Sequence, residues 1–534
     1  MPSRHLRSAV ATAAFAACTL ASSASVAAAA EPPCYAPPTK PKVLKRVTYE
    51  GMQTILFCYG PITIRPGQNT NDYDSTGTPG LDKLLPNEPG WITRFDPDLL
   101  YTNKDKGNKG VPSVDVLHLH HAVWLGMGEN DPRWAAGEEK TIIQLPRGFG
   151  WRNDPNRSLT LNYMIHNLFP TTEKVYMTWT VDFVPDTAPA AATMKRAQTL
   201  WLDVAGIKPY PVFDALRSMG TGGRYTFPDQ VQGATESAKV GSRKSWTCCG
   251  GTPDNPLKSV TVLGGAGHLH PGGLYTTLKA TRGDLTKTLF QSKAKYFEPA
   301  GAVSWDVALG TTPDNWRVKL KAGDKLSTSV TYDVSKASWY ESMGIMPLSV
   351  YYGESVPGTD WTRKSLPQTQ VYTHGHLAEN NGHGGKTVHG AVNPLTLLNG
   401  MPSDGNTISI KNFVYGLGDF TNSGATQKPP TVQQGNTFSF SNDDSTGNPF
   451  TDYAYHTITA CANPCNKSVG IAYPRADGAV EFDSGELGYG PAFSTAAANR
   501  KTWTIPNNLA TGTYSYFCRV HPFMRGAFRV VPKT

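Results

Sequence analysis

Short runs in which apolar and polar residues alternate recur along most of this chain, each bounded by glycine, proline or asparagine. The period of two in SLTLNYMIHNL, KVYMTWTVDFV, KLSTSVTYDV and NTFSFSN places successive side chains on opposite faces of a β-strand. Amphipathic helical patterns are scarce, and turn formers are abundant, with 52 glycines and 41 prolines in 534 residues. We therefore predict an all-β protein built from antiparallel sandwiches.

Breaks in this strand pattern divide the chain into regions. Residues 1–30 combine two arginines with a long apolar, alanine-rich run, which is typical of a secretory signal peptide. DTAPAAATMKR separates residues 35–195 from 196–353, and a polar, glycine-rich connector at 354–402 precedes the last region, 403–534. No other apolar run approaches the roughly 20 residues of a membrane helix. We expect a protein that is secreted or held in the cell envelope, without a membrane span.

The formal net charge of +8 is distributed along the chain, with one modest basic cluster in KPKVLKR. A solvated surface and an anionic partner are the two interpretations of this charge. The absence of a sustained basic run favours the solvated surface, and nucleic acid is not an expected partner.

Seven cysteines follow the signal region, an odd number for an exported protein, in which cysteines tend to pair. If Cys518 is a metal ligand, the other six can form disulfides. The simplest pairs are Cys34 with Cys58 and Cys461 with Cys465. Cys248 and Cys249 either bridge each other or pair elsewhere, and the sequence leaves this connectivity open.

The remaining cysteine lies in TYSYFCRVHPFMRGAFRVV, where Cys518, His521 and Met524 follow one another at intervals of three residues. Strand patterns flank this motif, so all three residues lie on one tight connection. Two imidazoles, a thiolate and a weak axial thioether suit a copper ion that cycles between two oxidation states. His456, in DYAYHTITAC, is the other histidine of this region. We predict a copper site of His456, Cys518, His521 and Met524.

This last region resembles the cupredoxins, or blue copper proteins, and the CRVHPFMRG loop is most similar to that of amicyanin. The resemblance covers about 130 residues and includes YHTIT and FDSGELG. It implies a Greek-key β-sandwich with one type 1 copper that passes single electrons.

Most of the upstream histidines are clustered in short motifs, above all HLHH and GHLHPGG. Two histidines at positions i and i+2 of a strand point to one face, where they can share a metal ion. In a regular strand His118 and His120 share a face and His121 points away. Ligation by both His120 and His121 therefore requires a β-bulge or a strand end.

VDVLHLHHAVWL, LNYMIHNLF, GAGHLHPGG and ESMGIM, in this order, resemble the copper type II monooxygenases, which include peptidylglycine hydroxylase and dopamine hydroxylase. The resemblance spans roughly residues 110–353 and implies two jelly-roll-like sandwiches, one copper held by three histidines and another by two histidines and a methionine. The three-histidine copper would take its ligands from His118, His120, His121 and His166. The second copper would be held by His268, His270 and Met343.

Two departures from the family pattern bear on the substrate. Ala122 replaces the methionine that follows the tandem histidines in the family. Ala266 replaces the arginine with which the peptide-hydroxylating members hold a substrate carboxylate. A peptide-glycine substrate is therefore not expected. Packing in the core remains an alternative role for Met343, and also for Met346 in the same motif.

The connector contains HGHLAENNGHGG, in which His374, His376 and His383 stand in a glycine-rich segment. Glycine allows such a loop to curl until the imidazoles converge. An additional copper site and a solvent-exposed polar loop are both open interpretations.

These features predict a secreted multicopper redox protein, in which a copper-monooxygenase-like pair of domains is fused to a type 1 copper domain. Its partners would be an electron donor or acceptor, dioxygen and an unknown small-molecule substrate, and the fusion is expected to act as a tether that needs no stable interface. The alternative is a non-catalytic copper-binding or electron-carrying protein of the cell envelope. At the histidine-only positions zinc is accepted as readily as copper.

Overall fold

A computed structural model describes the chain from residue 46 to residue 534, apart from a set of gaps. The predicted signal peptide, Cys34, Cys465 and the connector histidines His374, His376 and His383 lie outside the described residues. In the described part, no helix has the length and apolar character needed to cross a membrane. The gaps are residues 69–70, 76–83, 108, 115, 127–131, 138–140, 158, 170, 206–211, 218, 231–244, 250, 253–254, 257, 297–306, 336–337, 374–391, 421–427, 447–453, 462–480, 489–499 and 522.

Strands make up nearly all of the regular structure, which confirms the all-β prediction. The helical elements of the described residues are two short 3-10 turns, Pro189–Thr193 and Pro394–Thr396. Buried apolar side chains form one cluster drawn mainly from residues 57–197, two from residues 200–361 and one from residues 408–530. The described chain therefore has a separate core in each of three successive stretches.

The first stretch forms two sheets that enclose a core containing Trp124, Trp134 and Trp179, each 1% exposed. Its strands are β1 (Gln53–Ile64), β2 (Asn71–Ser75), β3 (Gly90–Tyr101), β4 (Leu117–Gly126), β5 (Pro132–Ala136), β6 (Ile143–Gln144), β7 (Phe149–Asn153), β8 (Leu159–Asn167), β9 (Glu173–Pro185) and β10 (Lys195–Arg196). One sheet has the order β1-β9-β3-β7-β10 with β6 beside β3, and the other has the order β2-β8-β4-β5.

The second stretch contains β11 (Gln198–Asp203), β12 (Phe213–Ala215), β13 (Arg224–Phe227), β14 (Ser245–Thr247), β15 (Gly251–Thr252), β16 (Asn255–Pro256), β17 (Ser259–Gly265), β18 (His268–Leu269), β19 (Gly273–Arg282), β20 (Leu285–Tyr296), β21 (Val307–Thr311), β22 (Val318–Lys321), β23 (Lys325–Asp333), β24 (Trp339–Ser342), β25 (Gly344–Tyr352) and β26 (Val371–Thr373). Its main sheets have the orders β11-β25-β17-β22, with β18 beside β25, and β13-β23-β19-β20-β21-β26, with β14 beside β23. Strand β26 lies within the residues that the sequence analysis assigns to the connector, so the second sandwich extends further along the chain than expected.

The third stretch contains β27 (Thr407–Lys411), β28 (Val414–Tyr415), β29 (Thr431–Gln433), β30 (Ser439–Asn442), β31 (Thr459–Ala460), β32 (Thr502–Thr504), β33 (Gly512–Phe517) and β34 (Arg525–Val531). Its two sheets have the orders β28-β27-β30-β32 and β29-β34-β33-β31. Phe440, Tyr516 and Phe528 fill the core between them, each with no exposed surface. Strands β33 and β34 pair in antiparallel fashion, so residues 518–524 form the connection of a hairpin.

A β-bulge in β4 lies at the tandem histidines. Leu119 pairs with Ile165 and His121 with Met164, so His120 is the extra residue on this strand. Leu119 belongs to the first core, and the next core residue along β4 is Ala122. His120 and His121 therefore both project from the opposite, outer face of the sheet, as a bulge permits.

The same outer face carries two further histidines. His118 lies opposite His166 in the β4–β8 register, and each alternates with neighbours that belong to the first core. His118, His120 and His166 are nevertheless at most 2% exposed. The outer face of this sheet is therefore covered by other parts of the chain.

Cys248 and Cys249 are bonded to each other, which is one of the two options that the sequence leaves open for them. Cys58 and Cys461 are each disulfide-bonded, and the partners predicted for them, Cys34 and Cys465, lie outside the described residues. Cys518 is the free cysteine of the described residues, and it is buried.

Candidate metal centres

Two imidazoles and one thiol meet at one end of the third sandwich. His456 Nδ1 lies 3.9 Å from Cys518 Sγ and 3.2 Å from His521 Nδ1, and the distance from Cys518 Sγ to His521 Nδ1 is 3.7 Å. All three side chains have no exposed surface. Among the described residues, this is the group of potential metal ligands whose donor atoms all lie within 4.8 Å of one another.

The hairpin connection supplies two of these donors and the predicted thioether. Cys518 directly follows β33, and Met524 directly precedes β34. The Cys518 backbone N–H donates to the Met524 carbonyl at 3.2 Å, and the Met524 N–H donates to the His521 carbonyl at 2.9 Å. These bonds close the loop, and Met524 is fully buried within it.

Backbone groups also hold the sulfur of Cys518. The N–H groups of Thr457 and His521 each donate to Sγ at 3.3 Å. Hydrogen bonds to a thiolate stabilise its charge and help to set the redox potential of a metal that it binds. The two N–H groups therefore fix the position of the sulfur next to the imidazoles.

His456 is oriented by a carboxylate on its far side. Its Nε2 lies 2.9 Å from Asp444 Oδ2, and the Asp444 carboxylate also accepts the backbone N–H groups of Asn412 and Phe413. Burial lowers the pKa of His456, but the hydrogen bonds to Asp444 and Cys518 outweigh it and raise that pKa to about 9. A proton held at Nε2 by Asp444 leaves Nδ1 for the centre, which is the usual way in which a carboxylate orients a metal-binding histidine.

A row of buried imidazoles continues from this centre into the first sandwich. The ring of His521 lies 5.8 Å from that of His166, centroid to centroid, and His166 lies 5.1 Å from His118. Burial lowers the pKa of His166 to about 3, against an opposing hydrogen bond with the Val520 backbone. Burial likewise lowers the pKa of His521 well below its ordinary value. His166 and His521 are therefore neutral at physiological pH, the form in which imidazole binds metal ions.

His270 of the second sandwich also joins this row. Its ring lies 4.8 Å from that of His120, and the His120 ring lies 6.2 Å from that of His166. Burial lowers the pKa of His120 well below its ordinary value, and the neighbouring His270 lowers it further. His118, His120, His166 and His270 thus form one cluster, called the histidine cluster below.

The other predicted upstream ligands face a cavity beside the histidine cluster. His121, His268 and Met343 all line this cavity, which has a volume of about 560 Å³. His121 Nε2 lies 3.2 Å from the side-chain oxygen of Asn162, and the His268 ring lies 5.1 Å from that of His270. Relative to the cavity the predicted ligands fall into two sets: His121, His268 and Met343 line it, and His270 lies in the histidine cluster. His121 and His268 nevertheless also contact His120 and His270 of that cluster.

The hydroxyl group of Tyr332 ties two of these segments together. It accepts the backbone N–H groups of His270 and Met343, at 3.1 and 3.0 Å, and donates to the Met343 carbonyl at 2.7 Å. Tyr332 is fully buried, so these bonds are shielded from water. They fix the cluster histidine and the cavity methionine relative to each other.

The ligand loop of the third sandwich packs against both upstream sandwiches. Besides the contact of His521 with His166, the Arg519 guanidinium lies 5.9 Å from the ring centroid of Trp339 and 6.0 Å from that of Tyr340. Arg519 is only 4% exposed and lies 3.4 Å from a carboxylate oxygen of Asp483. The loop is therefore held in a buried interface, in contrast to the loose tether expected from the sequence.

Two residues that support these sites escape sequence reasoning. Asp444 lies in the polar stretch SNDDSTG, which is typical of a surface turn. Tyr332 lies in TSVTYDV, where the pattern indicates only an ordinary strand residue. Neither has a motif of its own. A carboxylate search restricted to the residues near His456 would have included Asp444, but it would not have distinguished it from Asp443.

No protein-family model matches this sequence, and no curated protein matches it. Among solved structures, the chain is similar to the copper-containing nitrite reductase of Thermus scotoductus SA-01, with 14% identity and a TM-score of 0.15. That likeness covers 51% of this chain and 55% of the reductase, so the chain matches about half of the reductase's length.

Two other solved structures are similar to parts of the chain. For PNGase F, a glycosylasparaginase from Flavobacterium meningosepticum, the identity is 9% and the TM-score 0.26, over 58% of this chain and 98% of that one. For infectious bursal disease virus, Gx strain, the identity is 11% and the TM-score 0.16, over 64% and 82%. TM-scores this low assign neither a fold family nor a function.

The hydrogen bond between Asp444 and His456 gives a first prediction. Asp444→Ala leaves His456 without its orienting carboxylate, and we expect the affinity of the centre for copper to fall about 10- to 100-fold. Competition with a chelator of known affinity measures the change. Asp443→Ala is the matched control, because Asp443 is exposed and bonds to Ser409 and Ser441 instead. Equal affinities in the two variants would contradict the role of Asp444.

A buried carboxyl near the ligand loop gives a second prediction. Burial raises the pKa of Asp214 to about 7, with a further contribution from Asp483 and an opposing one from Arg500. Because the folded chain keeps a proton that the unfolded chain has lost, stability should fall as the pH rises from about 4 to about 7. Asp214→Asn mimics the protonated acid, so we expect the loss of unfolding free energy between pH 5 and pH 8 to shrink by about 2–3 kcal/mol.

Urea unfolding at several pH values measures this difference. Asp229→Asn serves as the control, since Asp229 is exposed and paired with Lys279. The prediction fails if Asp214→Asn and the parent chain lose the same free energy over this pH range.

Proposed function

We propose that this chain is a copper-dependent redox protein, in which a type 1 copper centre in the third sandwich exchanges single electrons with copper bound upstream. The upstream part would be a copper monooxygenase that uses dioxygen and an unknown small-molecule substrate. An external redox protein or reductant would supply the electrons.

One observation carries the proposal: His456, Cys518 and His521 present their donor atoms within 4.8 Å of one another in a fully buried pocket. Two imidazoles and a thiolate with a methionine beside them are the donors of electron-transfer copper sites, whereas a zinc site typically has four strong ligands. Bound copper would supply a one-electron couple at this centre and oxygen-reducing chemistry at the histidine sites.

The residues of the chain would keep the donors of the centre in fixed positions and provide a short path for electrons. Thr457, His521 and Asp444 hold the donors in place before a metal arrives, so little rearrangement is needed on a change of charge. His521 of the centre contacts His166 of the histidine cluster, so the two sites meet through a pair of imidazole rings. We propose that electrons pass between the two sandwiches at this contact.

The upstream ligands follow the two sets described above. His118, His120 and His166, with His270 beside them, would hold one copper, and the cavity residues His121, His268 and Met343 would hold another. A bulge at His120 and the Tyr332 hydroxyl group keep the two sets next to each other.

One observation favours a second candidate function, a copper-binding or electron-carrying protein without catalysis. Within the described chain, the upstream histidines do not bring three donor atoms as close together as the group around Cys518 does. A chain with one tight centre and a loose histidine cluster would carry electrons or store copper without oxygenation.

We place the protein outside the cytoplasm, in the secreted fraction or the cell envelope. Cys58, Cys248, Cys249 and Cys461 are all in disulfides, which persist in oxidising compartments. The signal-like sequence of residues 1–30 agrees with this placement.

The Cys518 thiolate gives the first test of this function. The copper-loaded protein should be intensely blue, and Cys518→Ser should abolish the colour, because the absorption arises from charge transfer from sulfur to copper. Met524→Leu is the paired variant, which should keep the colour and change the reduction potential, since Met524 would be only a weak ligand. A colourless copper-loaded parent protein, with a correctly folded near-ultraviolet circular dichroism spectrum, would exclude the proposal.

The contact between His166 and His521 gives the second test. His166→Phe keeps an aromatic ring of similar size but removes a ligand, so the blue centre should form normally while its reoxidation by dioxygen slows at least about tenfold. Stopped-flow absorbance follows the blue colour after reduction. Phe169→Leu, at a partly exposed position on the same segment, is the control. Unchanged reoxidation in His166→Phe would show that electrons leave the centre by another route.

Oxygen uptake separates the two candidate functions. With a reductant present, the copper-loaded parent should consume dioxygen and His268→Ala should consume much less, because His268 lies at the cavity. Equal uptake by the two proteins would favour an electron carrier over a monooxygenase.

A further inference from the structure

The cavity beside the histidine cluster lies between the first and second sandwiches. After the bulge in β4, His121, Val123 and Leu125 alternate with core residues and point into it, and Ala135 on β5 lies opposite Val123. Across the cavity, the second sandwich contributes residues of β17 and β25, among them Leu263 and Leu348. Its volume of about 560 Å³ is in the range of sites that hold small organic molecules.

The lining of this cavity is apolar and aromatic. Trp134, Trp151 and Trp201 contribute to the wall. Tyr73, which also borders the cavity, is 55% exposed and therefore marks its mouth. A planar or bulky apolar group that entered would remove its own surface and that of the indole rings from water, which favours binding.

Charged side chains are nearly absent from the described lining. It contains no lysine or arginine, and its two acidic residues are Asp203 and Asp314. Asp314 is exposed, and Asp203 Oδ1 already accepts the backbone N–H group of Ala205 at 2.9 Å. A buried charge without a partner is costly, and the described lining offers an anion no cationic side chain and a cation only these two carboxylates.

The lining includes two imidazoles that are in contact with the histidine cluster. His121 contacts His120 and His268 contacts His270, and Met343 borders the same cavity. Gly137 leaves no room for a side chain against the His268 ring, so the ring is seated on the backbone of the first sandwich. A ligand in the cavity therefore meets these imidazoles and a surface that is mostly apolar.

We propose that this cavity binds an uncharged, predominantly apolar organic molecule of about the size of two fused rings. Its one polar group would lie toward His121 and His268. As a substrate site the cavity rests on the proposed function, whereas the binding itself does not depend on it.

An isosteric series of small aromatic molecules tests the charge selectivity. 2-Naphthol, 2-naphthoate and 2-naphthylmethylammonium share one ring system and carry zero, negative and positive charge at pH 7. Isothermal titration of the full-length, copper-loaded protein should show that 2-naphthol binds at least about tenfold more tightly than either ion. The titration is repeated on the metal-free protein, where the order of affinities should persist.

Three variants locate the binding. Ala135→Trp fills the cavity and should weaken 2-naphthol binding at least about tenfold, whereas Ala192→Trp, on the exposed turn at Pro189–Thr193, should leave it within about twofold of the parent. Ala266→Arg places a cation on the cavity wall and should reverse the preference toward 2-naphthoate. This reversal would show that the probes occupy the cavity even if Ala135→Trp proves unstable.

Several results would overturn the proposal. These are no binding of 2-naphthol, tighter binding of either ion by the parent protein, or equal binding by the Ala135→Trp and Ala192→Trp variants. Because the titration needs neither colour nor oxygen uptake, its failure is distinct from failure of the proposed function. A protein that binds 2-naphthol but remains colourless with copper would keep the cavity proposal and lose the redox one.

Discussion

The contact between the hairpin loop of residues 518–524 and the outer face of the β4–β8 sheet is the constraint on which the candidate sites depend. The outer face of this sheet carries four histidines because of the bulge at His120. Left exposed, these imidazoles would form a polar surface of the first sandwich. Covered by His521 from the third sandwich and His270 from the second, three of them, His118, His120 and His166, become part of a buried row that joins the three sandwiches. Packing between sandwiches thus creates this row of imidazoles, whereas the donors around Cys518 all come from the third sandwich.

The sequence predicts those parts of this arrangement that depend on residues close together in the chain. The strands follow from alternation of period two, and the loop around Cys518 follows from its spacing, since three residues on one hairpin connection cannot lie far apart. The sequence does not show whether β4 has a bulge. It shows only that two adjacent histidines can share a face if the strand has one. The structure meets that condition at His120, because Leu119 and Ala122 both remain in the first core.

The parts that escaped prediction depend on residues far apart in the chain. His166 and His521 are separated by more than three hundred positions, and nothing in either strand pattern specifies that their rings meet. The same holds for His270, whose ring lies beside that of His120 as well as that of His268, and nothing in the local sequence indicates the contact with His120. Asp444 was missed for a different reason: a carboxylate that orients a histidine needs only one hydrogen bond, and many surface carboxylates have the same local sequence.

The orienting carboxylate has a consequence for how the third sandwich would acquire a metal ion. The hydrogen bond from His456 Nε2 to Asp444, whose carboxylate is itself held by two backbone N–H groups, keeps Nδ1 turned toward Cys518 and His521. Folding alone therefore brings the donors together, so an ion would enter a finished pocket and the loop would not have to close around it.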